Sequence, residues 1–330
     1  MSNLKTMATR ELPRYFLLVA LVLVFVIFGI LEPAFLSFNN IMNLCSTASV
    51  YAIGSCGLML VLCTGDLNLA TGATAGLSGA IVGALMCHLP TTWYGYAVAI
   101  AVAVAAAVLA NLAAGFCNIK IGIPTFIATL ATRQILDGIS TQITGNKMFY
   151  SSKWGSSFSF LGTYRVFDLI PIPVIICIIC AIIAYIFTEK TVKGRHLYAT
   201  GANVAAATQC GIRVRSTKYM AFALCGVFLG IAGVIWCSMQ NSTYVAYGTS
   251  LTMPILAVTM LGATFITPGK YNVPGNLVAA VLFVAISNGV QNTGAGTYVK
   301  DIVQGVILVI AVGIIALIRP EGLPKVSFER

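Results

Sequence analysis

Between Asp66 and Lys120 the chain reads LNLATGATAGLSGAIVGALMCHLPTTWYGYAVAIAVAVAAAVLANLAAGFCNI, from Leu67 to Ile119, without one Asp, Glu, Lys or Arg. A membrane-crossing helix takes about 20 apolar residues, so this run holds two crossings and a turn. A second charge-free run, from Tyr219 to Gly269, reads the same way. The whole chain agrees. Of its 330 residues 58% are apolar and 8% charged, where soluble domains carry roughly 25% charge, and mean hydropathy is +0.93. The composition predicts an all-α polytopic membrane protein, a single transmembrane domain over residues 1–330. A transmembrane barrel would instead alternate polar and apolar residues in segments of about ten.

The apolar pattern predicts ten spans, near 14–31, 41–63, 72–89, 93–115, 123–139, 169–188, 218–239, 252–267, 275–291 and 302–318. Lys5, Arg10 and Arg14 precede the first, in the manner of a signal peptide. That run is long for one, and no small-residue cleavage site follows before Pro33, so it reads as a retained span. Basic residues concentrate in the N-terminal segment, in 189–218 (Lys190, Lys193, Arg195, Arg213, Arg215, Lys218) and in the tail (Arg319, Lys325, Arg330). The positive-inside rule puts all three in the cytoplasm. Ten spans, with six before residue 189, require the same, and leave 140–168 as an external loop. The net charge of +10 is thus explained by membrane orientation, with no nucleic-acid partner.

Two stretches interrupt the apolar pattern at related places in the two halves. One is Thr64-Gly65-Asp66-Leu67-Asn68-Leu69-Ala70-Thr71-Gly72. The other runs from Gly262 through Thr264, Pro268 and Gly269 to Gly275. Broken backbone at membrane depth is tolerated only where protein or a water-filled cavity satisfies it, and paired breaks point to a transport pathway. Gly65, Asp66, Asn68, Thr71, Gly72, Gly262 and Thr264 are therefore the candidate pathway residues. The bland reading is two interfacial turns. Gly72, Gly76, Gly79 and Gly83 share one helix face, which suits close helix packing within the subunit.

Catalytic chemistry is not supplied. No phosphate-binding G-x-x-x-x-G-K-[ST] loop occurs, since Tyr271 follows Gly269-Lys270 where a hydroxyl residue is needed. His88 and His196 have no companions at metal-ligand spacing. Cys45, Cys56, Cys63, Cys177, Cys180, Cys225 and Cys237 lie in apolar runs, where thiols act as small hydrophobes. No catalytic residue, metal or cofactor is expected. Arg133 and Asp137, four apart, are placed to pair along one helix. With Asp66 and Asp301 they are the only candidates for an ion relay.

Residues 189–217 form the longest basic segment. The stretch 202–209, between Gly201 and Gly211, predicts a two-turn helix with Ala202, Ala205, Ala206 and Gln209 on one face. Such a small face fits a groove on a partner. A segment held to anionic lipid by its basic residues is the rival reading.

The chain resembles the permease subunits of ribose-type bacterial ABC importers, in the superfamily that holds the branched-chain amino-acid permeases. Pro33 to Asn40 is similar to that family's approach to the second span. Gly65 to Gly72 is similar to G-G-I-D-L-S-V-G, with Asp66 in place of Gly and Asn68 in place of Asp. Gly194 to Val214 resembles the coupling segment G-R-x-x-Y-A-x-G-x-N-x-x-A-A…G-I-x-V, through Gly194, Arg195, Gly201, Asn203, Ala205, Ala206 and Gly211. Val204 and Thr208 stand there where charged residues are common. Leu261 to Gly275 resembles L-G-G-x-S-x-x-G-G-x-G…G, with Ala263, Pro268 and Tyr271 replacing glycines, and Asn288-Gly289 a later N-G. The resemblance implies a type II-like ABC importer permease in the bacterial inner membrane. Its partners would be an ATPase subunit that hydrolyses the ATP, a second permease copy or homologue, a periplasmic or lipid-anchored binding protein that delivers a sugar, and membrane lipid. The rivals are a branched-chain amino-acid permease, an ion-coupled secondary transporter and a multispan enzyme.

Overall fold

The computed structural model describes residues 2–89, 92–150, 156–243, 248–294 and 297–318. In chain order the helices are α1 (Ser2–Leu31), α2 (Phe38–Leu62), α3 (Thr71–Met86), α4 (Trp93–Phe116), α5 (Thr125–Thr144), α6 (Ser156–Thr163), α7 (Ile172–Tyr185), α8 (Val192–Ala202), α9 (Val204–Gln209), α10 (Val214–Gln240), α11 (Thr249–Gly262), α12 (Val273–Asn292) and α13 (Thr297–Ile318). All of these except α6, α8 and α9 coincide with the ten expected spans. Single π-turns extend α4 to Ile121 and α7 to Lys190. By length and composition, α2, α4 and α7 with their extensions, α10 and α12 can each cross a membrane, while Leu17–Leu31, α3 and α11 are apolar but shorter. The basic tail residues Arg319, Lys325 and Arg330, and Lys153 and Trp154 of the external loop, lie outside the described residues.

Boundaries differ where polar sequence continues a helix. Residues 140–144, assigned by polarity to the external loop, complete α5, whose last turn is closed by Gly145 in the left-handed region at φ 55°. Among its described residues the loop also holds β1 (Phe149–Tyr150), which pairs with β4 (Ser242–Thr243), α6, and β2 (Arg165–Val166), which pairs with β3 (Ile170–Pro171) just before α7. Conversely α11 ends at Gly262 rather than near 267, because the Gly- and Pro-containing stretch beyond it turns.

The core forms around α2 and α10. α2 is buried at nearly every position from Leu44 to Val61, with α7, α10, α11 and α12 about it. Glycines let α10 approach α4 backbone to backbone. A Cβ on Gly226 would lie 2.6 Å from Val108 Cα, and one on Gly230 3.0 Å from Val104 Cα. With lipid outside, such packing replaces the hydrophobic drive as the source of helix association.

The helix ends gather at two opposite faces. At one, Arg165 donates to Asn39 Oδ1 at 2.8 Å, Asn40 Nδ2 donates to Asn288 Oδ1 at 3.0 Å, and Ser238 donates to the Phe158 carbonyl at 2.6 Å. At the other, α8 meets the chain just past α2 at Cys63 and Gly65, Tyr271 just before α12, and α10.

Candidate functional site

The first break begins where α2 stops at Leu62. Gly65 turns the chain at φ +84°, a conformation natural to glycine, and residues 66–70 form no regular secondary structure before α3 starts at Thr71. Protein satisfies this exposed backbone, as expected of a break at membrane depth. The Leu69 N–H donates to Thr129 Oγ1 at 3.2 Å on α5. Asn68 is 0% exposed. Its amide donates to Asn111 Oδ1 on α4 at 2.7 Å and to Cys225 Sγ on α10 at 3.7 Å, and its oxygen accepts from the Ala70 N–H at 2.9 Å. Asn111 in turn donates to Thr74 Oγ1 at 3.2 Å on α3. Asn68 thus joins the break to α4 and α10 directly and to α3 through Asn111.

Asn68 and Thr71, both candidate pathway residues, are buried in helix packing within the subunit. The polar residues of the break turn inward because four helices supply partners there. The Thr71 hydroxyl has no hydrogen-bond partner among the described residues. Gly72 and Gly76 pack against Gly248 at the start of α11, so closely that a Cβ on Gly72 would be driven into the Gly248 carbonyl and the Thr252 hydroxyl. These glycines serve packing within the subunit.

Asp66, 7% exposed, lies at the open end of the break. Its Oδ1 accepts from Thr125 Oγ1 at 2.7 Å, at the first residue of α5, and from Lys218 Nζ at 3.1 Å. Its Oδ2 lies 2.9 Å from Lys218 Nζ and 3.2 Å from Thr64 Oγ1. Of the six basic residues in 189–218, Lys218 is therefore paired inside the protein, whereas Lys190, Lys193, Arg195, Arg213 and Arg215 are exposed.

The second break is fastened by Asn272, whose position in the sequence does not announce this role. Its amide donates to the carbonyls of Gly262 (3.3 Å), Phe265 (2.9 Å) and Lys270 (3.0 Å), and its oxygen caps α12 by accepting from the Gly275 N–H at 2.8 Å. Gly262 packs on Gly275 and Asn276. Thr264 is buried, and its hydroxyl donates to the Leu261 carbonyl at 2.7 Å. Gly262 and Thr264 therefore shape the turn from inside the subunit.

The segment 189–217 folds as two helices rather than one. Asn203 is the reason: it adopts an extended conformation, ends α8 and caps α9 by accepting from the Ala206 N–H at 3.0 Å. The expected helix over 202–209 is thus corrected to 204–209, with Ala202 on α8. The earlier turns form a helix because Thr191 caps them through the Gly194 N–H. On α9, Ala205, Ala206 and Gln209 are exposed, and Ala207 alone is buried. Gly211, at φ +78°, closes the unit. Gly194 lies under Phe187 and Thr188, and Arg195 points to solvent.

α8 lies across both breaks. Gly201 packs on the first: a Cβ there would collide with the Cys63 carbonyl and lie 3.0 Å from Gly65 N. Tyr198 reaches the second, donating to the Tyr271 carbonyl at 2.7 Å, while Lys270 sits 4.4 Å above the Tyr198 ring and pairs with Glu189 at 2.9 Å. Burial pushes the Tyr198 phenol above its ordinary pKa, which keeps its proton available for that bond.

One further feature was not drawn from the sequence. α5 buries Thr125, Thr129, Thr132 and Leu136, and leaves Gln134, Gly138 and Gln142 exposed with Arg133 and Asp137 half-buried beside them. Arg133 and Asp137 pair along the helix as expected, Nε to Oδ2 at 3.8 Å. A polar strip of this kind on a span belongs against water or protein, not lipid. The signal was available in the Arg, Asp and Gln residues at helical spacing. Asp301 is exposed on α13.

Residues 40–312 match the family described as "Branched-chain amino acid transport system / permease component". The ribose import permease protein RbsC of Escherichia coli (strain K12) is 30% identical over 89% of this chain and 91% of its own length. The protein of the same name from Bacillus subtilis (strain 168) is 30% identical over 87% and 88%. The L-arabinose transport system permease protein AraH of Escherichia coli (strain K12) is 28% identical over 91% and 89%. A solved metal-chelate type ABC transporter in an inward-facing conformation shares the fold, with a TM-score of 0.54 at 12% identity over 92% of this chain and 98% of its own.

Proposed function

Because the chain belongs to this family of transport-system permease components, we propose that it is the membrane permease subunit of a bacterial ABC importer for a small sugar. The observation that carries the reading is the seating of α8 across both breaks, with α9 presenting Ala205, Ala206 and Gln209 outward among exposed basic residues. A partner that grips α9 can move both breaks at once. That partner is a separate ATPase, which hydrolyses the ATP, so this subunit performs no covalent chemistry. The α8–α9 face, the N-terminus and the basic tail lie in the cytoplasm of an inner-membrane protein. The 140–168 face receives a solute-binding protein.

The solute path runs along the polar strip of α5, opposite a second permease copy or homologue. Charged and amide side chains on a span are tolerated where a water-filled path or a partner subunit covers them. The breaks at 64–72 and 262–275 support this path from behind as the joints that let it change shape. A sugar fits such a strip, and the ribose and arabinose permeases among the relatives support that solute class.

The test is reconstitution in proteoliposomes with the ATPase and binding protein, using radiolabelled D-ribose and L-arabinose. ATP-dependent, binding-protein-dependent uptake is expected. Uptake by this chain alone under a proton or sodium gradient would reject the reading in favour of secondary transport.

A further inference from the structure

We infer that Asp66 is the positioning residue through which the α8–α9 segment sets the position of α5, an inference that rests on the docking role proposed for α9. The segment from Cys63 to Ala70 stands between the two. On one side the backbone of Cys63 and Gly65 is in contact with Gly201 of α8. On the other, Asp66 is bonded at 2.7 Å to Thr125, the first residue of α5. A shift of α8 displaces Gly65, and Asp66 follows as its covalent neighbour.

The carboxylate is held in a way that transmits such a shift. Lys218, from the second turn of α10, contacts both of its oxygens, at 2.9 and 3.1 Å. Removing Lys218 leaves the buried Asp66 carboxylate without a counter-charge, an unfavourable state, so the pair moves as a unit. The Asp66 carboxylate also faces the amino end of α5, where the helix dipole favours negative charge. Thr125 and Thr129 mark the inward face of α5, and the Arg133–Asp137 strip continues up the same helix. A displacement imposed at Thr125 thus reaches the polar strip through one continuous helix. Secondary bonds from Leu69 to Thr129 guide α5 but carry no charge.

The test uses the full-length permease assembled with its ATPase in proteoliposomes. A reporter cysteine replaces Gly138, where an added Cβ would meet nothing within 4 Å, in a background with Cys45, Cys87, Cys117 and Cys210, the cysteines that are not buried, changed to Ser. Maleimide labelling is timed without nucleotide and with ATP plus vanadate. The labelling rate of the otherwise unaltered protein should change by about fivefold or more, the range of ordinary allosteric coupling. Asp66→Asn should abolish that change with the ATPase still bound. Thr125→Val leaves the ion pair intact and removes only the bond to α5. It should abolish the response as well, and so decides the matter if Asp66→Asn fails to assemble. An unchanged response in Thr125→Val, or no response in the parent protein, overturns the inference alone. Failure of the ATPase to bind the parent protein overturns the docking role on which it rests.

Discussion

The phenolic O–H of Tyr198 donates to the carbonyl oxygen of Tyr271 at 2.7 Å, and this bond ties the basic segment of the first half to the break in the second. Glu189 and Lys270 reinforce it with a 2.9 Å ion pair, a half-exposed contact of modest worth. Tyr198→Phe keeps the ring under Lys270 and deletes the bond. The cost should be about 1 kcal/mol, read as a small fall in thermal stability in detergent. Uptake should fall further than stability does, because the bond lies on the proposed route from ATPase to break.

Gly201 is where α8 meets the first break. Gly201→Ala forces its methyl group into the Cys63 carbonyl, and backbone cannot yield as a flexible side chain would. Overpacking of this kind costs about 1–3 kcal/mol. The variant should show a lowered unfolding temperature and reduced ATP-driven uptake. Gly305→Ala on α13, with open space about it, should show neither.

Asn68 supports the break by hydrogen bonding, so its loss should be felt as instability. Asn68→Ala strands the amide and carbonyl partners of a fully buried side chain, a cost of about 1–3 kcal/mol. Thermal unfolding of the purified protein measures this. Asn68→Asp should be tolerated worse than its size suggests, because its carboxylate has no amide N–H to donate to Asn111 Oδ1.

Ala206→Glu tests the docking helix. The residue is exposed in the subunit, so folding and insertion should be unaffected. In a protein interface the added carboxylate would be buried without a partner, which is strongly unfavourable. ATPase co-purification and ATP-driven uptake should both drop sharply. If α9 instead lay on lipid, one carboxylate among basic neighbours would weaken surface attraction by only about 1 kcal/mol, and both measurements would stay near normal.

Asn146 and Asn203 are both exposed, at opposite faces of the helix bundle. Single reporter cysteines at these positions should react with an impermeant maleimide from opposite sides of the membrane, with Asn146 external. Reaction from the same side would overturn the ten-span topology.

The residue sequence alone determined that this is a bundle of apolar membrane helices, because a membrane leaves the backbone few ways to bond itself and charge-free runs mark where that rule applies. The two breaks were legible in Gly, Pro and Asn, and the basic cytoplasmic segment in its charges. These signals are local, and each is carried by neighbours along the chain. What Asn68, Asp66 and Asn272 bond to was not legible, since Asn111, Thr125, Lys218 and the carbonyl groups at Gly262 and Phe265 become partners only when helices pack. For the same reason the inward packing of the break residues and the outward placement of Gln134, Gly138 and Gln142 on α5 were not legible. Periodicity identifies which residues share a helix face. Only the neighbouring helices decide whether that face meets protein, water or lipid, because burial is a property of the assembled bundle.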